Sequence, residues 1–206
     1  YDFNNLRVVV AGAEKLREDT RQLYMKKFGI RIIEGYGVTE TSPVISVNAP
    51  LIFKYDTVGL PMPNIEYYLE PVVGIENGGR LFVKGPNIML GYLLHNSDGK
   101  IIPPISDRGE GWHDTGDIVD IDEEGYFSIL GRAKRFAKLG GEMISLTAVE
   151  ELAMQTWPDA NHAAVSIEDD KKGEKIILVT DQHDANRKAF QDTTRRLKYS
   201  EIYIPK

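Results

Sequence analysis

Gly35-Tyr36-Gly37-Val38-Thr39-Glu40-Thr41-Ser42-Pro43 gathers two glycines, an aromatic ring, several hydroxyls and one carboxylate into nine residues. Glycines let backbone come close to a ligand. Tyr36 offers a flat face to a purine, and Thr39 can donate a hydrogen bond to a phosphate. Glu40 is then a hard oxygen ligand for Mg²⁺ beside that phosphate. Taken alone, the nine residues fit a nucleotide loop and a plain connecting loop equally well.

Four more stretches carry functional chemistry. Residues 79–92 read as a strand, a turn and a Gly91-Tyr92 ending. Trp112-His113-Asp114-Thr115-Gly116-Asp117 puts carboxylates on a tight turn, and Gly131–Glu142 is a basic, glycine-bounded linker. The fourth is the Pro205 ending. His113 suggests a general base, but its setting favours packing within the turn.

These stretches need elements to hold them. Leu6–Val10 is an apolar, β-branched run that reads as a buried strand. Leu16, Thr20, Leu23, Tyr24 and Phe28 then recur at helical spacing, with Gly29 as the stop. Ile30–Glu34 is the next strand. Strand, helix and strand with short joints form a βαβ unit with parallel strands. In such sheets ligands sit past the carboxyl ends of the strands, where Gly12-Ala13 and the Gly35 loop both lie. From Val58 the texture changes to short strands and turns: Ile65–Leu69, Arg80–Val83, and Ile118–Ile121 with Tyr126–Leu130 as a hairpin around Asp122–Gly125. After Gly131 the expected elements are a helix over Thr147–Gln155 with Val149, Leu152 and Ala153 on one face, and strands His162–Ile167 and Lys175–Thr180 around the turn Asp169–Glu174. A polar helix over Asp184–Lys198 and a strand beginning at Ile202 complete the pattern.

The expected architecture is a multidomain α/β fragment. Residues 1–57 end an α/β nucleotide-binding subdomain, 58–131 form a β-rich, distorted barrel-like subdomain, and 132–206 form a small α+β domain. The ends support the fragment reading: Tyr1-Asp2-Phe3 lacks an initiator Met, and Ile202–Lys206 reads as a strand starting.

Composition narrows the function classes. The chain has 206 residues, 42% of them hydrophobic and 27% charged, enough for a core. The absence of cysteine removes disulfides, thiolate metal sites and a cysteine nucleophile. A formal charge of −6 argues against a general nucleic-acid binder, as does the lack of interleaved aromatics around Arg132–Lys138 beyond Phe136. No apolar run approaches the roughly 20 residues of a membrane helix, so a cytoplasmic location is expected.

In order, the motifs resemble the core motifs of the adenylate-forming (AMP-binding) superfamily, which includes acyl-CoA synthetases. Residues 10–16, 85–89 and 131–138 look most like the synthetase half of the bacterial bifunctional acyl-acyl carrier protein synthetase/2-acylglycerophosphoethanolamine acyltransferase branch. Glu14-Lys15 and Leu146 depart from the usual superfamily pattern of a small residue with Pro, and of Pro, respectively.

The resemblance implies an adenylate-forming fold, ATP or AMP with Mg²⁺, and a fatty acid as substrate. The acceptor would be acyl carrier protein or coenzyme A, with a lysophospholipid served by the rest of the parent protein, for which the resemblance implies a location at the cytoplasmic face of the bacterial inner membrane. It also implies roles. Tyr36 stacks on adenine, Thr39 binds the α-phosphate, Glu40 holds Mg²⁺, and Gly12, Ala13, Glu34 and Gly35 shape the adenine slot. Asp117 accepts from both ribose hydroxyls, Arg132 contacts ribose and phosphate oxygens, Lys134 is the hinge to the small domain, and Lys138 with Gly140-Gly141 borders the pantetheine channel. The family's phosphate loop would precede Tyr1 and its catalytic lysine follow Lys206, so this stretch by itself is expected not to adenylate. A non-catalytic AMP-binding or carrier-docking module is the competing reading.

Overall fold

The computed structural model describes residues 3, 5–95, 97–169 and 173–206. The chain divides into two compact units, one of residues 1–70 and 78–130, the other of residues 71–77 and 131–206. Among the described residues no helix is long and apolar enough to cross a membrane.

The first unit opens with β1 (Val9–Ala11), α1 (Glu18–Phe28) and β2 (Ile32–Gly37). β1 and β2 pair in parallel, Val9 opposite Ile32, as the βαβ pattern requires. Gly29 ends α1 in the left-handed conformation and returns its N–H to Met25. Two expectations change here. The strand expected over Leu6–Val10 is confined to Val9–Ala11, and α1 buries none of its residues: Leu23 is 54% exposed. More consequentially, Gly35-Tyr36-Gly37 is strand rather than loop. β2 continues through it and pairs antiparallel with β3 (Val44–Val47), with a bulge between Tyr36 and Gly37. β4 (Leu60–Pro61) completes this four-stranded sheet in the order β1-β2-β3-β4.

A second sheet has the order β10-β9-β6-β5, built from β5 (Glu66–Glu70), β6 (Gly79–Lys84), β9 (His113–Ile121) and β10 (Phe127–Arg132). Between β6 and β9, β7 (Tyr92–Leu93) and β8 (Ile101–Ile102) form a small antiparallel pair. The β9–β10 turn is the expected one: Asp122 Oδ1 accepts from the amides of Glu124 and Tyr126, and Lys54 reaches Asp122 at 2.7 Å. The expected tight turn at Trp112–Asp117 is instead mostly strand. Arg80 pairs with Ile118 and Phe82 with Asp114, so Thr115-Gly116-Asp117 bulges opposite Leu81. Gly116, at φ 71°, makes that bulge possible. The unit's core gathers Tyr36, Ile45, Leu81, Val83, Val119 and Phe127.

The second unit contains the largest revision. The basic linker is not a linker: Ala133–Arg135 makes one turn of 3₁₀ helix, and β11 (Phe136–Leu139) and β12 (Glu142–Ser145) form a hairpin. Gly140-Gly141, both at positive φ (60° and 100°), supplies the two-residue turn, a geometry that matches strand twist. Ala137, Leu139 and Ile144 are buried, which is what holds the hairpin down.

α2 (Leu146–Thr156) follows, with the Ser145 side chain capping the Ala148 amide at 3.2 Å. Leu146, Val149, Leu152 and Ala153 recur at helical spacing and are buried, and the helix ends before Pro158. Each fully buried aliphatic side chain contributes about 1.5–3 kcal/mol. β13 (His162–Asp169) and β14 (Gly173–Thr180) pair antiparallel from His162–Thr180 to Asp169–Gly173. The middle of their expected turn, like Tyr1 and Asp2 at the start of the chain, lies outside the described residues. The sheet order is β12-β11-β14-β13, one hairpin more than the sequence pattern suggested. α3 (Arg187–Arg196), capped by Asn186, is shorter than the expected 184–198 and buries Phe190 in the same core. The expected terminal strand is a 3₁₀ turn over Glu201–Tyr203. Ser200 caps it, Ile204 is buried, and Pro205 has no N–H to give a ladder, leaving one backbone bond from Lys206 to Ile176 at 3.1 Å.

Gly37 tests how tightly the β2–β3 connection is closed. A Cβ there would lie 1.6 Å from the Pro43 carbonyl oxygen, and backbone cannot rotate away as a side chain would. Gly37→Ala is expected to lower stability by about 3 kcal/mol or more, read as a fall in the urea midpoint. A midpoint within error of wild type would show that the connection is loose.

Candidate functional site

Tyr36 and Asp117 meet across 81 residues of sequence. The Tyr36 hydroxyl donates to Asp117 Oδ2 at 2.7 Å, and the two residues are 8% and 3% exposed. Asp117 is aimed by its bulge. The Thr115 hydroxyl donates to the Leu81 carbonyl at 2.9 Å and accepts from the Asp117 amide at 3.1 Å. One residue earlier, Asp114 Oδ1 accepts from the Gly116 amide at 2.9 Å while Arg80 grips the same carboxylate through two bonds of 2.9 and 2.5 Å. Such a fork is pre-organised for a carboxylate.

Beyond Tyr36 the chain makes a 3₁₀ turn over Thr39–Thr41. Thr41 is its fixed point: fully buried, its hydroxyl lies 2.9 Å from the Val38 carbonyl, 2.6 Å from the Pro43 carbonyl and 3.2 Å from the Val38 amide. Thr39 is exposed and Glu40 partly exposed. A buried third residue thus displays the first two. The Glu40 carboxylate accepts from the Tyr92 hydroxyl at 2.9 Å. His113 is buried nearby in electrostatic reach of Glu40: burial holds its imidazole below the ordinary value, against the opposing pull of Glu40 and Asp114.

The glycine-rich ends of β1 and β2 lie close together. A Cβ on Gly12 would come within 3.3 Å of the Gly35 carbonyl oxygen, and Ala13 has φ 72°. The Glu34 side chain is bound to Arg21 of α1 at 2.6 Å, so Glu34 faces the helix with its carboxylate. The first unit therefore carries Gly12, Ala13, Glu34, Gly35 and Tyr36 along β2 and just past β1, Thr39 and Glu40 on one turn, and Asp117 on the β9 bulge.

Arg132, Lys134 and Lys138 belong to the second unit, and all three are exposed. Lys134 sits on the 3₁₀ turn and Lys138 on β11 opposite Met143. Arg135 behaves differently from these three. Its guanidinium reaches both Glu150 oxygens at 2.7 Å and the Ala164 carbonyl at 3.2 Å, anchoring the turn to α2 and β13. Sequence reasoning missed the supporting residues Thr41, Arg80, Asp114 and Tyr92. Arg80 was visible only as a charge in a strand, Asp114 as a carboxylate on a turn and Tyr92 as a motif ending, because their partners are distant in sequence. Among the described residues no group of three metal-ligating side chains occurs.

His113 predicts an acid sensitivity. Its folded-state pKa lies below the ordinary value near about 6.5, so on acidification the unfolded chain takes up the proton first. The stability it contributes is complete above that pH and is lost as pH falls toward the folded-state pKa. His113→Gln is expected to flatten the acid limb of a stability–pH curve relative to wild type below about pH 6.5. Parallel curves would exclude His113 as a source of that slope.

A family model for AMP-binding enzymes matches residues 1–93. The long-chain-fatty-acid–CoA ligase of Salmonella typhimurium is 32% identical over 184 residues, which are 86% of this chain and 32% of that ligase. The chain thus spans about a third of the length of the curated relatives it matches. Among solved structures, ATP-bound MatB from Rhodopseudomonas palustris aligns with a TM-score of 0.74 at 25% identity, over 97% of this chain and 40% of that one. The O-succinylbenzoate coenzyme A synthetase MenE from Bacillus subtilis, in complex with AMP, gives 0.73 at 25% identity over 97% and 41%. Together with the motif order and the fold, these matches make the chain similar to the AMP-binding, adenylate-forming enzymes, and among them to ligases of the acyl-CoA type.

Proposed function

We propose that the chain is a portion of an ATP-dependent fatty acyl ligase that forms acyl-AMP and then passes the acyl group to a phosphopantetheine thiol. The carrying observation is the displayed Thr39-Glu40 turn, joined through β2 to the Tyr36–Asp117 pair. The relatives' names support the substrates: a long-chain fatty acid and coenzyme A for the Salmonella enzyme, ATP for MatB and AMP for MenE. An acyl carrier protein as acceptor, and coupling to 2-acylglycerophosphoethanolamine reacylation, rest on the branch-like stretches 10–16, 85–89 and 131–138.

In this reading each residue has a task that its setting supports. The Asp117 carboxylate accepts from the ribose hydroxyls while Tyr36 fixes its orientation, and the same bond sets the angle of the Tyr36 ring toward adenine. Gly12, Ala13 and the Glu34-Gly35 backbone line the adenine slot. Arg132 pairs with ribose and phosphate oxygens. Thr39 donates to the α-phosphate, its exposure keeping the hydroxyl accessible. Glu40 and phosphate oxygens form a hard donor set that fits Mg²⁺, which commonly takes one or two carboxylates and completes its shell with phosphate and water. When bound, that ion neutralises phosphate charge. Lys138 and Gly140-Gly141, on the β11–β12 hairpin, border the thiol's path.

Glu40→Gln in the complete protein keeps shape and hydrogen bonding but removes the charge. Adenylation, followed as pyrophosphate exchange, is expected to fall at least tenfold, equivalent to about 1.4 kcal/mol or more, and to respond poorly to added Mg²⁺. Wild-type exchange in this variant would remove Glu40 from the site.

Lys134 is proposed as the pivot of the small domain, whose backbone visits two φ/ψ states. Proline fixes φ near about −65° and restricts the preceding residue. Lys134→Pro should therefore retain one half-reaction and lose the other, with pyrophosphate exchange reporting the first and thioester formation from supplied acyl-AMP the second. An unshifted melting curve must accompany the split. Two normal half-reactions in the folded variant would show that the pivot lies elsewhere.

A further inference from the structure

The Thr39–Glu40 turn is held from one side by residues 85–92. The Met89 amide donates to the Glu40 carbonyl at 2.8 Å. Asn87 Nδ2 donates to the carbonyls of Thr41 at 2.6 Å and Val44 at 2.9 Å, spanning the corner between the turn and β3. The Tyr92 hydroxyl donates to Glu40 Oε1 at 2.9 Å. Two of these residues fix main chain at and just beyond Glu40, and the third fixes its carboxylate.

The chemistry of the holders is informative. Asn87 turns its amide nitrogen to two carbonyls at once, and its Oδ1 is buried with no hydrogen-bond partner. A residue present only to fill space would not carry that desolvated oxygen. Tyr92 is 40% exposed, so its ring is not what holds the segment together. Its hydroxyl reaches out to the one carboxylate of the turn. Burial, with Glu40 second, pushes the Tyr92 phenol above its ordinary value, and it stays a donor throughout the neutral range.

We propose that Tyr92 is a positioning residue for Glu40, the tip of a brace whose main-chain part is made by Asn87 and Met89. The brace holds the carboxylate in one orientation before the nucleotide and its divalent cation arrive. Without it, Glu40 loses one bond that orients its carboxylate ahead of binding, and the extra ordering then needed weakens the cation's hold. The proposal rests on the reading of Glu40 as a ligand of the nucleotide's cation.

The test is a double-mutant cycle in the complete protein: wild type, Tyr92→Phe, Glu40→Gln and the double variant. Mn²⁺ serves as the probe ion. Its dissociation constant in saturating α,β-methylene-ATP is read from the electron paramagnetic resonance of the free ion. Pyrophosphate exchange gives kcat and the KM for ATP. Tyr92→Phe is expected to weaken Mn²⁺ binding about three- to tenfold and to lower kcat at unchanged KM, with a melting temperature within about 2 °C of wild type. In the Glu40→Gln background it should have no further effect, because Tyr92 acts through Glu40. Wild-type Mn²⁺ affinity and kcat in Tyr92→Phe would overturn the brace while leaving the Glu40 assignment standing. So would equal fold losses with and without the Glu40 carboxylate. An unaffected Glu40→Gln variant would instead remove the assignment and the brace together.

Discussion

The first unit depends on one buried hydrogen bond, from the Tyr36 hydroxyl to the Asp117 carboxylate. Burying a carboxylate is costly unless donors meet it, and Asp117 is 3% exposed. The phenol lowers that cost only if β2 and the β9 bulge keep their places. Each supporting feature serves this condition. The β2–β3 ladder carries Tyr36 inward, Thr115 and Gly116 set the bulge, and Arg80 holds Asp114 so that the bulge cannot slide. A charged hydrogen bond of this kind contributes roughly 1.5–3 kcal/mol, less than the aliphatic core around it. It adds direction, which apolar packing does not.

The same economy governs the turn after Tyr36. Display of Thr39 and Glu40 requires that the chain reverse within a few residues, and the reversal leaves backbone groups that a regular ladder would have paired. Thr41 and Asn87 take up part of that burden from inside, Thr41 with its hydroxyl and Asn87 with its amide. Gly37 contributes by lacking a side chain where the Pro43 carbonyl passes. Rigid backbone beneath two outward side chains is the arrangement a ligand site needs, because the ordering is complete before binding.

What the sequence revealed follows from the range of the interactions involved. α2 was legible to within a residue at each end, since its buried face and its stop are both local. The parallel β1–β2 pair was legible from the helix between its strands. The nature of the 112–117 stretch was not, because a bulge and a turn share the same glycine and short polar residues and differ only in what pairs opposite them. The β11–β12 hairpin did have a local signal: Gly140-Gly141 between Ala137, Leu139 and Ile144 is a two-residue turn flanked by inward-pointing apolar residues. The density of Lys and Arg around it obscured that pattern. Residues such as Arg80 and Tyr92 were hidden for a different reason, as their partners Asp114 and Glu40 lie 34 and 52 residues away.

The basic stretch also shows why charge count is a poor guide to role. Within this basic stretch, Arg135 is spent on structure within its unit through an ion pair with Glu150, which is itself held by the Ala164 amide at 2.8 Å. Those bonds tie the end of the 3₁₀ turn to both α2 and β13, so backbone beyond Arg135 cannot rotate without breaking them. Within the segment of this unit that runs from Gly131 to the end of the chain, Arg135 is thus the basic residue that ties the 3₁₀ turn to both α2 and β13. Gly131, at φ 144°, already has the freedom glycine gives.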